Sequence, residues 1–183
     1  MLTYNECYHG TSCDSYLAIK NGRKFTYYSR KNHWLGQGIY FFLEDKDKAL
    51  WFVKKSSSPY LKSKEKCIIK VKINVEKDGL LNLDIEDGRK KLDQFAKFLK
   101  DTTRLRKRDG SLHNADLRCL VIDAYIKYYN VKAVKYTFSN DKIVYQNLNL
   151  NNTDQDKIQN TGAQINVVDQ SVINFDELSV ECV

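Results

Sequence analysis

The chain has 183 residues, 42% hydrophobic and 29% charged, which fits one folded domain over residues 1–183 and excludes a disordered or fibrous protein. No apolar run nears the roughly 18 residues of a spanning helix. The opening MLTYNECYHG also lacks the pattern of a secretory signal, so a cytoplasmic protein without membrane association is expected. The net charge of +7 is uneven: residues 1–150 carry 29 basic and 17 acidic side chains (+12), residues 151–183 one basic and six acidic (−5). A basic body fits a polyanionic partner, although a solvated Lys-rich surface gives the same count.

In chain order, Tyr4 to His9 is expected to be a short strand. Ser12 or Asp14 then caps a helix ending near Gly22. Ile39 to Leu43 is an apolar run expected to form a buried strand. Asp45 caps a helix that turns Ala49, Leu50, Phe52 and Val53 to the core. Pro59 sits in a polar loop, KKSSSPYLKSKEK. From Cys67 to Val75 apolar and polar residues alternate, which predicts a half-buried strand.

Leu92, Phe95, Ala96 and Leu99 recur at helical spacing. So do Leu117, Leu120, Val121, Ala124, Tyr125 and Tyr128, giving two further helices. Val134 to Phe138 and Ile143 to Tyr145 suggest a hairpin turning at Ser139-Asn140-Asp141. After a polar stretch over 146–161, Ala163, Ile165 and Val167 alternate with Gln164 and Asn166. Strands at both ends with helices between them make the class α+β.

Five cysteines without CxxC spacing and three scattered histidines predict no metal site and reduced thiols. The phosphate-loop, dinucleotide and nucleophile-elbow signatures are absent from the sequence. Two segments stand apart: Tyr8-His9-Gly10-Thr11-Ser12, and Trp34-Leu35-Gly36-Gln37-Gly38-Ile39-Tyr40-Phe41-Phe42 followed by Ala49-Leu50-Trp51. A glycine after His9 allows close backbone approach to a ligand, and the imidazole can bond a ribose hydroxyl. Tyr40 and Trp51 could bracket a flat ring, or simply be core.

These segments resemble the catalytic domain of the diphtheria-toxin-like, poly(ADP-ribose) polymerase-like ADP-ribosyltransferases, closest to small bacterial toxin or phage-defence members. The resemblance implies two packed, mostly antiparallel sheets around an NAD cleft, with flanking helices. It implies NAD as substrate, bound by His9, Gly10, Thr11, Ser29, Tyr40 and Trp51, with His9 on a ribose hydroxyl and Tyr40 and Trp51 on the two nicotinamide faces. The third catalytic position falls on Gln164, in a segment of the bacterial form Gln-Ile-x-Val; Asp141, in Asn-Asp-Lys-Ile-Val-Tyr, is the alternative. Physical reading favours Gln164, which alternation turns away from the core, whereas Asn140-Asp141 is ordinary turn chemistry.

A neutral amide at the third position implies single ADP-ribose transfer rather than chain elongation. The acceptor is a macromolecule, with nucleic acid (RNA among the candidates) favoured over protein. The run Arg104 to Arg108 and the lysines from Lys54 to Lys66 add cationic surface. An antitoxin or inhibitor partner is a further implication. The competing readings are an inactive NAD- or ADP-ribose-binding module and an NAD-dependent RNA 2′-phosphotransferase. The latter shares the His-Gly-Thr start but lacks the Gly-x-Gly-Ile-Tyr-Phe block.

Overall fold

A computed structural model describes residues 1–29, 33–56, 59–103, 114–144 and 159–183. Among the described residues seven strands, β1 (Leu2–Ser12), β2 (Ile39–Leu43), β3 (Lys66–Val75), β4 (Leu80–Asn82), β5 (Ala133–Val144), β6 (Gln159–Val167) and β7 (Ile173–Cys182), form one hydrogen-bonded sheet in the order β4-β5-β6-β2-β1-β3-β7. Only the β4–β5 pair is parallel among the described pairings. The α+β class holds, but the strands make a single sheet where two packed sheets were expected. The reason lies in β2 (Ile39–Leu43), which pairs with β6 (Gln159–Val167) on one side and with β1 (Leu2–Ser12) on the other. The junction is narrow: β1 and β2 share only the pairs Cys7↔Leu43 and Tyr8↔Phe42.

Local sequence explains most elements. Ser12 caps α1 (Cys13–Gly22), its hydroxyl accepting from Ser15 N–H, and Arg23 closes the helix in the left-handed conformation. Asp45 caps α2 (Lys46–Lys55) through Lys48 N–H at 2.9 Å. Ala49 and Val53 of α2 are buried, whereas Phe52 is 55% exposed, a departure from the expected core face. After a short α3 (Pro59–Lys62), the alternating segment forms β3 (Lys66–Val75).

β4 (Leu80–Asn82) and β7 (Ile173–Cys182) are too short or too polar to announce themselves. α4 spans Glu86–Thr103 and α5 Asn114–Tyr129. On α5 the buried residues are Cys119, Ile122, Tyr125 and Ile126, while Leu120 and Tyr128 face solvent. The apolar pattern runs almost all round that helix, so spacing alone put the core stripe about one position off.

The expected hairpin is absent. β5 (Ala133–Val144) runs through Ser139-Asn140-Asp141 and pairs antiparallel with β6, with an irregularity between Asn140 and Val144. Turn-type residues here sit in a strand because the partner strand arrives from residue 159 onward. Asp141 therefore belongs to β5, and its side chain lies outside the described ones, as do the run Arg104 to Arg108 and most of the polar 146–161 stretch.

One face of the sheet, including Cys7, Phe41, Ile69 and Ile165, packs with Ile19 of α1 in the main core. Each such fully buried aliphatic or aromatic side chain contributes on the order of 1.5–3 kcal/mol. The opposite face carries two helical covers. α2 packs Ala49 and Val53 on Ile68, and α4–α5 pack Phe95, Ile122 and Ile126 around Val134 and Leu81. Between these covers runs a strip of half-buried side chains, Tyr8, Phe42, Gln164 and Tyr136, which forms a valley floor. Among the described residues no helix is long and apolar enough to cross a membrane.

Candidate functional site

Register places one row of side chains along the valley floor. Tyr8, Phe42, Gln164 and Tyr136 are successive cross-strand partners on β1, β2, β6 and β5, and so share a face. The next row toward the start of β2 contains Tyr40, opposite Asn166. Ile165 and Val167 are fully buried on the core face, so Gln164 points to the valley and is half-buried there.

The sheet parts at the next step. Glu44 N–H bonds Glu6 carbonyl at 2.8 Å, so the backbone groups of even-numbered β1 residues in this stretch face β2. Gly10 N–H and C=O therefore aim at β2, but the β1–β2 pairing has ended at Tyr8. The Tyr40 carbonyl, on the facing edge, is taken by the imidazole of His9, with Nδ1 at 2.8 Å. A carbonyl only accepts, so Nδ1 carries the proton and Nε2 is left as an acceptor. Burial pushes the His9 pKa below its usual value, and the bond to Tyr40 opposes this more weakly. The ring is neutral at pH 7. It is wedged by Phe25 and Phe41, centroids 5.4 and 5.6 Å away.

Gly10 is a glycine for a packing reason: a Cβ there would lie 2.7 Å from Val53 Cβ and 3.0 Å from Ala49 carbonyl. α2 thus rests directly on the backbone at the split. Thr11 and Ser12 beyond it are buried.

Tyr40 is fixed at its far end. Its hydroxyl donates to Gly36 carbonyl at 2.7 Å and accepts from Leu35 N–H at 2.8 Å. Burial raises its pKa well above the usual phenol value, so it stays protonated. The same loop is held by Asn166, which is fully buried and directs Nδ2 to the carbonyls of Leu35, Gly36 and Gln37 at 2.7, 3.1 and 3.2 Å. Asp123 of α5 accepts from Gln37 N–H at 2.7 Å. His33 packs edge-on to Tyr40 at 5.5 Å.

The structure brings the His9 ring to the Tyr40 backbone at the split, beside Gly10, but on the core face with Phe25 and Phe41, whereas the Tyr40 and Gln164 side chains lie on the opposite, valley face. It does not bring Trp51 to them. Trp51 is 63% exposed and lies two positions from both Ala49 and Val53, on the side of α2 away from the sheet. Phe52, exposed at the rim of the valley, is the α2 aromatic beside Phe42, with ring centroids 6.0 Å apart. Lys48, one turn earlier on α2, passes over Gly162, where a Cβ would meet its Cδ at 3.2 Å. Ser29 is exposed in the segment before residue 30. Asn166, Phe52 and Lys48 are the residues sequence reasoning did not select. The i, i+4 spacing of Lys48 and Phe52 was the available signal.

Among the described residues no group of three or more His, Cys, Asp or Glu side chains could hold a metal ion. No family model matches the chain, and no solved structure matches it. It is similar to an uncharacterized protein of Methanocaldococcus jannaschii, 32% identical over 101 residues, or 54% of this chain and 46% of that protein. The chain thus spans less than half the length of the curated relative it matches.

Proposed function

We propose that the chain is an NAD-dependent mono-ADP-ribosyltransferase that moves ADP-ribose to a macromolecular acceptor and releases nicotinamide. The observation that carries this reading is the split beside His9. There the imidazole occupies the Tyr40 carbonyl, and the Gly10 N–H and C=O face the gap beyond the last β1–β2 pair. A donor and an acceptor on one glycine suit the two ends of a carboxamide. His9 Nε2 is left to accept from a ribose hydroxyl.

Breaking the C1′–N bond of NAD leaves nicotinamide neutral and positive charge on the ribose; the acceptor's nucleophile then bonds C1′ and its proton passes to water. The chain's part is to orient. In this reading Gly10 and Tyr40 hold the leaving group, His9 reaches the ribose through the split from the core face, and Gln164 meets a hydroxyl from the valley face by hydrogen bonding without charge. Because an amide is not a base, acceptor activation falls to the acceptor itself or to solvent. The test is incubation of the purified chain with NAD labelled in the adenylate and with total RNA, single-stranded DNA or lysate protein. Nicotinamide release and label transfer that vanish in His9→Ala are expected; no release from the wild-type chain sinks the reading.

A further inference from the structure

Beyond the valley, a groove of about 900 Å³ runs between α4, α5 and the Trp34–Leu35 loop. It reaches the candidate site twice: Tyr136 in its wall is the cross-strand partner of Gln164, and Leu35 N–H bonds the Tyr40 hydroxyl. Trp34 is 51% exposed at its mouth, with Phe138 at 4.8 Å and Tyr136 stacked edge-on behind Phe138 at 4.8 Å. An exposed indole is costly to keep still, yet this one is held. The residue after it, Leu35, is 2% exposed and pinned through both its N–H and its carbonyl.

The lining is otherwise apolar, but its charged members are mostly cationic. Lys97 and Lys100 on α4 and Arg118 on α5 make no ion pair among the described residues. Arg89 caps the carbonyls of Leu83 and Asp84, and among the described lining residues Asp93 is the one acid. A rigid aromatic platform with free cations around it matches a stacked base with flanking phosphates.

We propose that this groove binds single-stranded nucleic acid as the acceptor, one base stacked on Trp34 and the neighbouring phosphates on Lys97, Lys100 and Arg118. The acceptor role rests on the transferase reading; the binding site does not. In the transfer, C1′ of the ribose exchanges its bond to the nicotinamide nitrogen for one to an oxygen or nitrogen of the bound strand, whose proton goes to water. Seating the strand beside Tyr136 places it next to Gln164 without help from an acidic side chain.

The probe is a fluorescein-labelled 12-nucleotide strand of mixed sequence, made as RNA and as DNA and followed by anisotropy. Quenching of Trp34 is read in a Trp51→Phe background, which leaves it the sole tryptophan. Binding with quenching is expected. Three phosphate contacts on a single strand predict roughly 20-fold weaker binding between 50 and 200 mM salt. Trp34→Ala is expected to weaken binding about tenfold, and Lys97→Gln with Lys100→Gln to flatten the salt dependence. Absence of quenching, a duplex that binds as tightly, or unchanged affinity in both variants overturns the site. Label transfer from NAD to the RNA or to the DNA supports the acceptor role and names the sugar. Nicotinamide release with neither strand bound overturns the groove alone, whereas binding without nicotinamide release overturns the transferase reading and the acceptor role with it.

Discussion

Asn166 occupies the space that a side chain at Gly38 would need: a Cβ on Gly38 would collide with Asn166 Oδ1 and lie 2.6 Å from Val167 carbonyl. The two residues together set the loop that carries Trp34 and anchors Tyr40. Gly38→Ala is expected to cost about 2–4 kcal/mol, combining a clash with a φ of +154°. Asn166→Ala is expected to cost about 2 kcal/mol by leaving buried carbonyls without their donor, a fall in Tm of roughly 5 °C. Asn166→Asp, isosteric but without the donor, should be no better. Thermal unfolding followed by circular dichroism reads all three, and a wild-type Tm in Asn166→Asp would remove the anchoring role.

Gly10→Ala forces α2 off the sheet, because the nearest atom is Val53 Cβ rather than the tip of a flexible chain. A loss of about 1–3 kcal/mol is expected. Val53→Ala keeps the offending Cβ, so the double variant should not recover the loss. Denaturant midpoints settle the matter, and full recovery would mean the close approach is not what selects glycine.

His9 makes stability depend on acidity in a definite direction. Its folded pKa lies below the usual histidine value of 6.5, so the unfolded chain binds the extra proton first. The contribution is therefore complete above pH 6.5 and is lost as pH falls from there through the folded pKa. His9→Asn is expected to flatten the pH dependence of stability below 6.5 relative to wild type. Equal slopes in the two proteins would show that the proton goes elsewhere.

Within the proposed reaction, Gln164→Ala is expected to lower nicotinamide release by about 100-fold, on the scale of losing a positioning contact. Asp141→Asn should change it less than twofold. Phe52→Ala should raise KM for NAD, whereas Trp51→Ala, on the outer side of α2, should not. Steady-state kinetics of the four variants separate these roles, and a dominant Asp141 effect would move the third position to β5.

Much of this was legible in the sequence, and the failures share a cause. Strands with one wet face, such as Cys67–Val75, declare themselves by alternation, and caps such as Ser12 and Asp45 by local hydrogen bonding. What stayed hidden depends on partners far along the chain. The Ser139-Asn140-Asp141 segment looks like a turn until β6 pairs with it, and Trp51 looks like a ring clamp until Ala49 and Val53 orient its helix. The segments around His9, Gly10 and Tyr40 stand out because their motifs are local, whereas the Asn166 bonds cross more than 120 residues and leave no local signal.

The position of β6 also governs when the protein can exist. Its residues 159–167 fill the slot between β2 and β5, pairing Phe42 with Gln164. A nascent chain that has emerged only through β5 therefore holds the unpaired edges of β2 and β5 and lacks Gln164. Such a chain has to wait, in a state open to chaperones and proteases, until residues 159–167 are made. A chain terminated before residue 159 is expected to lack β6 and to leave the edges of β2 and β5 open to pairing with other chains.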